Sequence, residues 1–199
     1  MANPDSEVNS WDICAEAIHW LRAAHEMYER SREFRSLGDS LDNVLECPGD
    51  DWRALKARAD RAFSSARASE HFFLISLKNA RHWLKALAVR EADEREAIIA
   101  YMDKIRPALP VRDFREHAGE YLLPEGKPKR EGFRFAGSLG DGLSFIVDAT
   151  SDISHGDDTL LGGRVSKNEL FAAVCELLPV LEAAHDGFSS YHRLNAQGT

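Results

Sequence analysis

The chain has 199 residues and a mass of 22.3 kDa, with 44% apolar and 29% charged residues. That composition can bury one core unaided, which excludes a disordered chain and leaves no room for a second enzyme domain. The formal charge of −8 argues against a surface that binds nucleic acid over its whole area.

The charge is uneven. Residues 1–52 carry −8, residues 53–132 carry +5 and residues 133–199 carry −5. Cys14, Cys47 and Cys175 are odd in number and far apart, so they predict reduced thiols and neither a disulfide framework nor a zinc site. The first residues, Met-Ala-Asn-Pro-Asp-Ser-Glu, lack the basic and apolar stretches of a leader. No apolar run approaches the ~18 residues of a membrane span. The expected location is the cytoplasm, with no membrane contact.

In chain order, Trp11, Cys14, Ile18, Leu21, His25 and Tyr28 recur at spacings of three and four. They predict an amphipathic helix from residue 11 to about 34, with Ser10 as its N-cap. Residues 36–51, with Gly38, Pro48 and Gly49 among acids, read as a connection holding at most a short helical turn at residues 41–45. From residue 52 to 89 no proline or glycine intervenes, and Phe73, Leu77, Ala80, Leu84 and Leu87 mark one long helix, or two broken near Ser64 and Ser65. A shorter helix over residues 91–105 has Ile98, Met102 and Ile105 as its apolar face.

Pro107 and Pro110 then force a break and a restart, because proline suits a first helical turn and not an interior one. The next helix is expected from about Pro110 to before Pro124. Phe133, Phe135, the Asp141-Gly142 turn, Phe145 and Val147 alternate like a β-hairpin, and residues 159–165 offer a third strand. Ser166-Lys167-Asn168-Glu169 is a capping box opening a last helix lined by Phe171, Val174, Leu178, Leu181, His185 and Phe188. The tail from Asn195 is expected to fray. Together these elements predict a single mainly α domain over residues 1–199: an antiparallel helical bundle with a small antiparallel hairpin or three-stranded meander, at about 133–165, before the C-terminal helix.

One stretch carries chemistry: Arg112-Asp113-Phe114-Arg115-Glu116-His117, inside the basic third. Cleaving RNA without a metal needs a group to take the 2′-hydroxyl proton, a group to protonate the leaving oxygen, and a cation for the phosphorane charge. Histidine suits the proton steps, with an ordinary pKa of about 6.5. Arginine suits the phosphate through two parallel hydrogen bonds. In the first turn of its helix, Arg112 would also have free amide donors and the helix dipole beside it. Positions i and i+5 lie about 140° apart on an ideal helix, so Arg112 and His117 need either a swing of the arginine side chain or a second copy of the chain to meet at one phosphate. The plainer alternative is structural: Arg112 pairs with Glu116 at i+4, and His117 is a surface or interface residue.

Arg112-Asp113-x-x-x-His117 resembles the signature of the HEPN superfamily, an arginine, four to six residues and a histidine, usually with a polar residue after the arginine. The all-helical surroundings are similar too. The resemblance implies a compact, commonly dimeric helical domain acting as a metal-independent endoribonuclease in a toxin–antitoxin, defence or RNA-processing setting, or an inactive relative serving as a scaffold. It implies a homodimer, RNA as substrate, a protein partner such as an antitoxin, and no cofactor. It also implies that Arg112 stabilises the phosphate, Asp113 orients the pair and His117 transfers the proton. The hairpin of residues 133–148 has no counterpart in a standard member.

Rival constellations are weaker. Glu16-x-x-His19 and Glu182-x-x-His185 have the spacing of di-iron ligands on one helix face, but such a site needs two more inward glutamates, and the helix around residues 72–87 offers none. His25 and His185 sit in apolar stripes, where a histidine is more often a hydrogen-bonded seam residue than a ligand. Glu70-His71 and Arg81-His82-Trp83 would flank the motif only if their helix packs against residues 110–122. Gly137-x-x-Gly140-x-Gly142 lies in a hairpin turn, not between strand and helix, so it does not cradle phosphate.

Overall fold

In the computed structural model, residues 9–45, 51–118, 134–138, 144–155 and 158–196 are described. They form a helical assembly with two small antiparallel sheets before the last helix.

Helix α1 spans Ser10–Leu45. Asn9, not Ser10, caps it: the Asn9 Oδ1 accepts the Asp12 N–H at 2.9 Å and its carbonyl accepts the Ile13 N–H at 3.2 Å. The helix continues through Gly38, where the sequence predicts a connection. Glycine costs a helix about 1 kcal/mol relative to alanine, but here the absent side chain admits a neighbour. A Cβ on Gly38 would stand 2.7 Å from the Phe63 ring, so close approach of the second helix explains the residue.

Helix α2, Trp52–Arg90, is unbroken at Ser64 and Ser65 and packs antiparallel along α1. Phe73, Leu77, Ala80, Leu84 and Leu87 are all buried, as their spacing predicts. On α1 the buried stripe is Cys14, Ala17, Leu21, Ala24 and Tyr28, while Trp11 and His25 lie exposed at its rim. His25 instead rests its ring against Phe171, with centroids 5.0 Å apart. Helix α3, Arg95–Ile105, buries Ile98, Tyr101 and Ile105. Helix α5, Lys167–Ala196, lies on α1 and α3 through Leu170, Val174, Leu177 and Leu181. Each such side chain contributes roughly 1.5–3 kcal/mol by leaving water, so the centre of the fold lies between α1, α2, α3 and α5. Ser166 caps α5 as the box predicts, its Oγ accepting the Glu169 N–H at 3.0 Å.

The strands form two sheets and not one meander. Strands β1, Arg134–Ser138, and β2, Ser144–Asp148, pair antiparallel with Phe135 opposite Val147; the Asp141-Gly142 turn lies outside the described residues. The Asp148 Oδ1 accepts from the Thr150 N–H and from the hydroxyls of Thr150 and Ser151. This aspartate turn ends β2 and separates the sheets. Strands β3, Asp152–His155, β4, Asp158–Leu161, and β5, Val165–Ser166, follow in sheet order. Gly162 and Gly163, with φ of 61° and 69°, make the β4–β5 turn, a left-handed pair that glycine adopts without steric penalty.

Candidate functional site

Helix α4, Ala108–Glu116, is capped by Pro107. Pro110 is therefore its third residue, within the first turn where no amide is needed. Arg112 consequently falls one position beyond that turn, a correction to its expected place among the free amides. The helix ends at Glu116, earlier than expected, and His117 is its C-cap with φ −103° and ψ 19°; residues 119–133 lie outside the described residues. Ala108, Val111 and Phe114 recur every three residues and are buried, Val111 in the main core and Phe114 against Ala149. That anchoring turns Asp113 and Glu116 outward and leaves Arg112 along the side of the helix.

The Arg112 guanidinium donates to the Asp113 Oδ1 at 2.7 Å and pairs with Glu116, the i+4 pair of the structural alternative. Asp113 also accepts from Lys78 of α2 at 3.3 Å. Burial pushes the Asp113 carboxyl up, but the bonds from Arg112 and Lys78 outweigh it and hold the acid below its usual range. His117 is exposed.

α2 does pack against α4, so the condition placed on Glu70-His71 is met, and the two residues do different things. His71 faces the motif: burial lowers its pKa, and so do Arg115 and Arg112, with Glu116 opposing them. It is a neutral imidazole at pH 7, and its Nδ1 is buried without a hydrogen-bond partner.

Glu70 faces inward and is fully buried. Its Oε1 accepts from the Arg35 guanidinium at 2.8 Å and from the Lys167 ammonium at 3.1 Å. Lys167 also donates to the Ser31 hydroxyl at 3.1 Å. Burial works against the Glu70 carboxylate, yet Lys167 and Arg35 hold its pKa below the ordinary value. The neighbouring buried pair is Arg115 of α4 with Asp152 of β3, both side chains less than a tenth exposed. Burial, reinforced by the Glu70 carboxylate and opposed by Arg115, pushes Asp152 up to about 6. A proton on Asp152 would supply a donor for the Glu70 Oε2, which has no other partner among the described residues. Arg35, Glu70, Arg115, Asp152 and Lys167 thus tie α1, α2, α4, β3 and α5 together.

Sequence reasoning missed this network. Its one legible sign was Glu70 itself, three residues before Phe73 and seven before Leu77, on the buried stripe of α2. Arg115 belongs to it and not to the solvent-facing part of the motif.

Two cavities are lined by no residue of α4. One of about 640 Å3 is lined by Tyr28, Arg32, Arg35, Asp158, Lys167 and other polar residues. The other, of about 430 Å3, brings His19, Glu182 and His185 of the rival constellations together between α1 and α5. There Glu182 is paired with Arg22 at 2.7 Å and His185 stacks on Trp11. No group of three or more residues suited to a metal occurs among the described residues. Cys14 is buried, its thiol pushed up to about 12 chiefly by burial, and Cys175 is exposed. Among the described residues, no helix is long and apolar enough to cross a membrane.

No family model, curated protein or solved structure matches the chain.

Proposed function

We propose that the chain is a HEPN-like, metal-independent endoribonuclease. What supports this reading is that Arg112 and Asp113 of α4 meet Lys78 and His71 of α2 and that His117 follows at the C-cap of the same helix. Asp113 and Glu116 position the Arg112 guanidinium, which exchanges a carboxylate for a phosphate oxygen when RNA arrives. The 2′-oxygen then attacks phosphorus as His117 takes its proton. The bond to the 5′-oxygen breaks, and that oxygen receives a proton from the His117 of a second copy. The products are a 2′,3′-cyclic phosphate and a 5′-hydroxyl, with no change in oxidation state.

A homodimer would bring two motifs to one cleft, and an antitoxin-like protein that covers α4 would silence both. The test is incubation of purified protein with RNA in excess EDTA. The reading expects cleavage with cyclic phosphate ends; ends of any other kind would overturn it.

A second reading, a non-catalytic helical scaffold of HEPN type, is favoured by the two carboxylates that already occupy Arg112. It expects RNA to survive and the Arg112→Ala change to act on stability alone.

A further inference from the structure

Helix α2 has a charge opposite to that of the protein that contains it. It carries nine basic residues and two acidic ones, in a chain of formal charge −8. One acid, Glu70, is buried against Lys167 and Arg35; the other, Asp60, is paired with Lys56. Beyond residue 60, therefore, the solvent side of α2 has no carboxylate.

The cations are also aligned. At 3.6 residues per turn, the cations Arg67, Lys78 and Lys85 fall within an arc of about 20°, over a length of about 27 Å, and the imidazoles of His71 and His82 lie within about 60° of that row. Arg67, His82 and Lys85 are exposed, and Lys78 is half-exposed. Arg67 and Lys85 make no ion pair among the described residues. The stripe lies at the edge of the buried face of α2, beside α4, and Lys78 and His71 are the points where it meets the motif.

A row of cations on a helix whose own solvent side carries no acid, with Lys78 paired to Asp113 of α4, fits a ligand that repeats its negative charge along its length. Phe72, 55% exposed and next to His71, adds a ring on which an unpaired base can stack. We infer that the face of α2 between residues 67 and 85 is a track for the phosphate backbone of single-stranded RNA, leading to Arg112 and His117. The choice of RNA rests on the ribonuclease reading; the charge complementarity does not.

The test separates binding from cleavage. Fluorescence anisotropy of a fully 2′-O-methylated single-stranded RNA, which offers no 2′-hydroxyl for attack, reads binding by the full chain. Three proteins are compared: wild type, Arg67→Glu/Lys85→Glu, and Arg30→Glu/Arg106→Glu, which makes the same charge change away from α2. The expected result is wild-type binding that weakens with salt, a loss on the order of tenfold in the first variant, and a salt slope reduced by about 0.7 for each phosphate that is no longer neutralised. The second variant should lose far less. Circular dichroism checks that both are folded. Absence of wild-type binding, equal losses in the two variants, or displacement by duplex DNA more readily than by the single strand would each overturn the track. Binding without cleavage of unmodified RNA sinks the ribonuclease reading and leaves the track standing; cleavage with binding indifferent to Arg67 and Lys85 does the reverse.

Discussion

Arg112 and Arg115 stand one turn apart on α4, and their surroundings differ in kind. Arg115 is enclosed with Asp152 and borders Glu70 and Lys167, all nearly removed from water, and Arg35, whose side chain stays 25% exposed. Arg112 is held by Asp113 and Glu116, carboxylates that water still reaches, and it adjoins the basic stripe of α2. An enclosed charge is fixed by the cost of losing its partner. Arg112 is itself only 14% exposed, but carboxylates that water reaches can be exchanged for a ligand at less cost than enclosed ones. The enclosed set therefore joins the sheets to the bundle, and the open set is the part to which the proposed ribonuclease function assigns the RNA.

The largest effect is expected from unpairing the interior. Glu70→Ala leaves Lys167 buried without its bonded carboxylate, and chemical denaturation should show a loss of about 3–5 kcal/mol. A loss under 1 kcal/mol would mean that the network is not what joins the elements.

Asp152 gives the next largest effect, and its sign is opposite to that of an ordinary salt-bridged acid. With a folded pKa of about 6, above the unfolded value, the folded chain binds more protons than the unfolded one between the two. Its contribution is fully present below about pH 4 and is lost as pH rises through 6, roughly 2–3 kcal/mol in all. Glu70, shifted downward, acts in reverse: its contribution is present above its unfolded pKa and is lost as pH falls through its folded one. Stability should therefore decline from about pH 5 to 7, and Asp152→Asn should flatten that decline. A wild-type midpoint that rises over the same range would contradict the assignment.

At the surface the expected effects shrink. Removing the Arg22–Glu182 pair, with side chains 65% and 38% exposed, by Arg22→Ala should cost no more than about 1 kcal/mol. Arg67→Glu/Lys85→Glu should leave thermal stability within about 0.5 kcal/mol of wild type, however much it weakens RNA binding. A large loss there would show that the stripe is part of the fold.

The helices were legible because each buries a stripe at helical spacing: Phe73 to Leu87 on α2 and Val174 with Leu181 on α5 are read directly from the chain. The errors arose where a partner distant in sequence decides the local structure. Gly38 reads as a break until Phe63 is placed against it, and Pro107, not Pro110, opens α4 because Ala108 and Val111 need to reach the core. The aspartate turn at residues 148–151 was written in Asp148, Thr150 and Ser151, and reading it would have separated the two sheets. In the site, the spacing from Arg112 to His117 and the Glu116 pair could be seen in one dimension. The network could not, since residues 35, 70, 115, 152 and 167 meet only through the fold.

Under the proposed function, Arg112 and His117 cleave RNA without a metal. Its most direct test is the rate of RNA cleavage in excess EDTA for wild type, His117→Ala and Arg112→Ala, each shown to be folded by circular dichroism. The account predicts cyclic phosphate products from the wild type and a fall of about 10²-fold or more in both variants. Cleavage by the variants at the wild-type rate would contradict it.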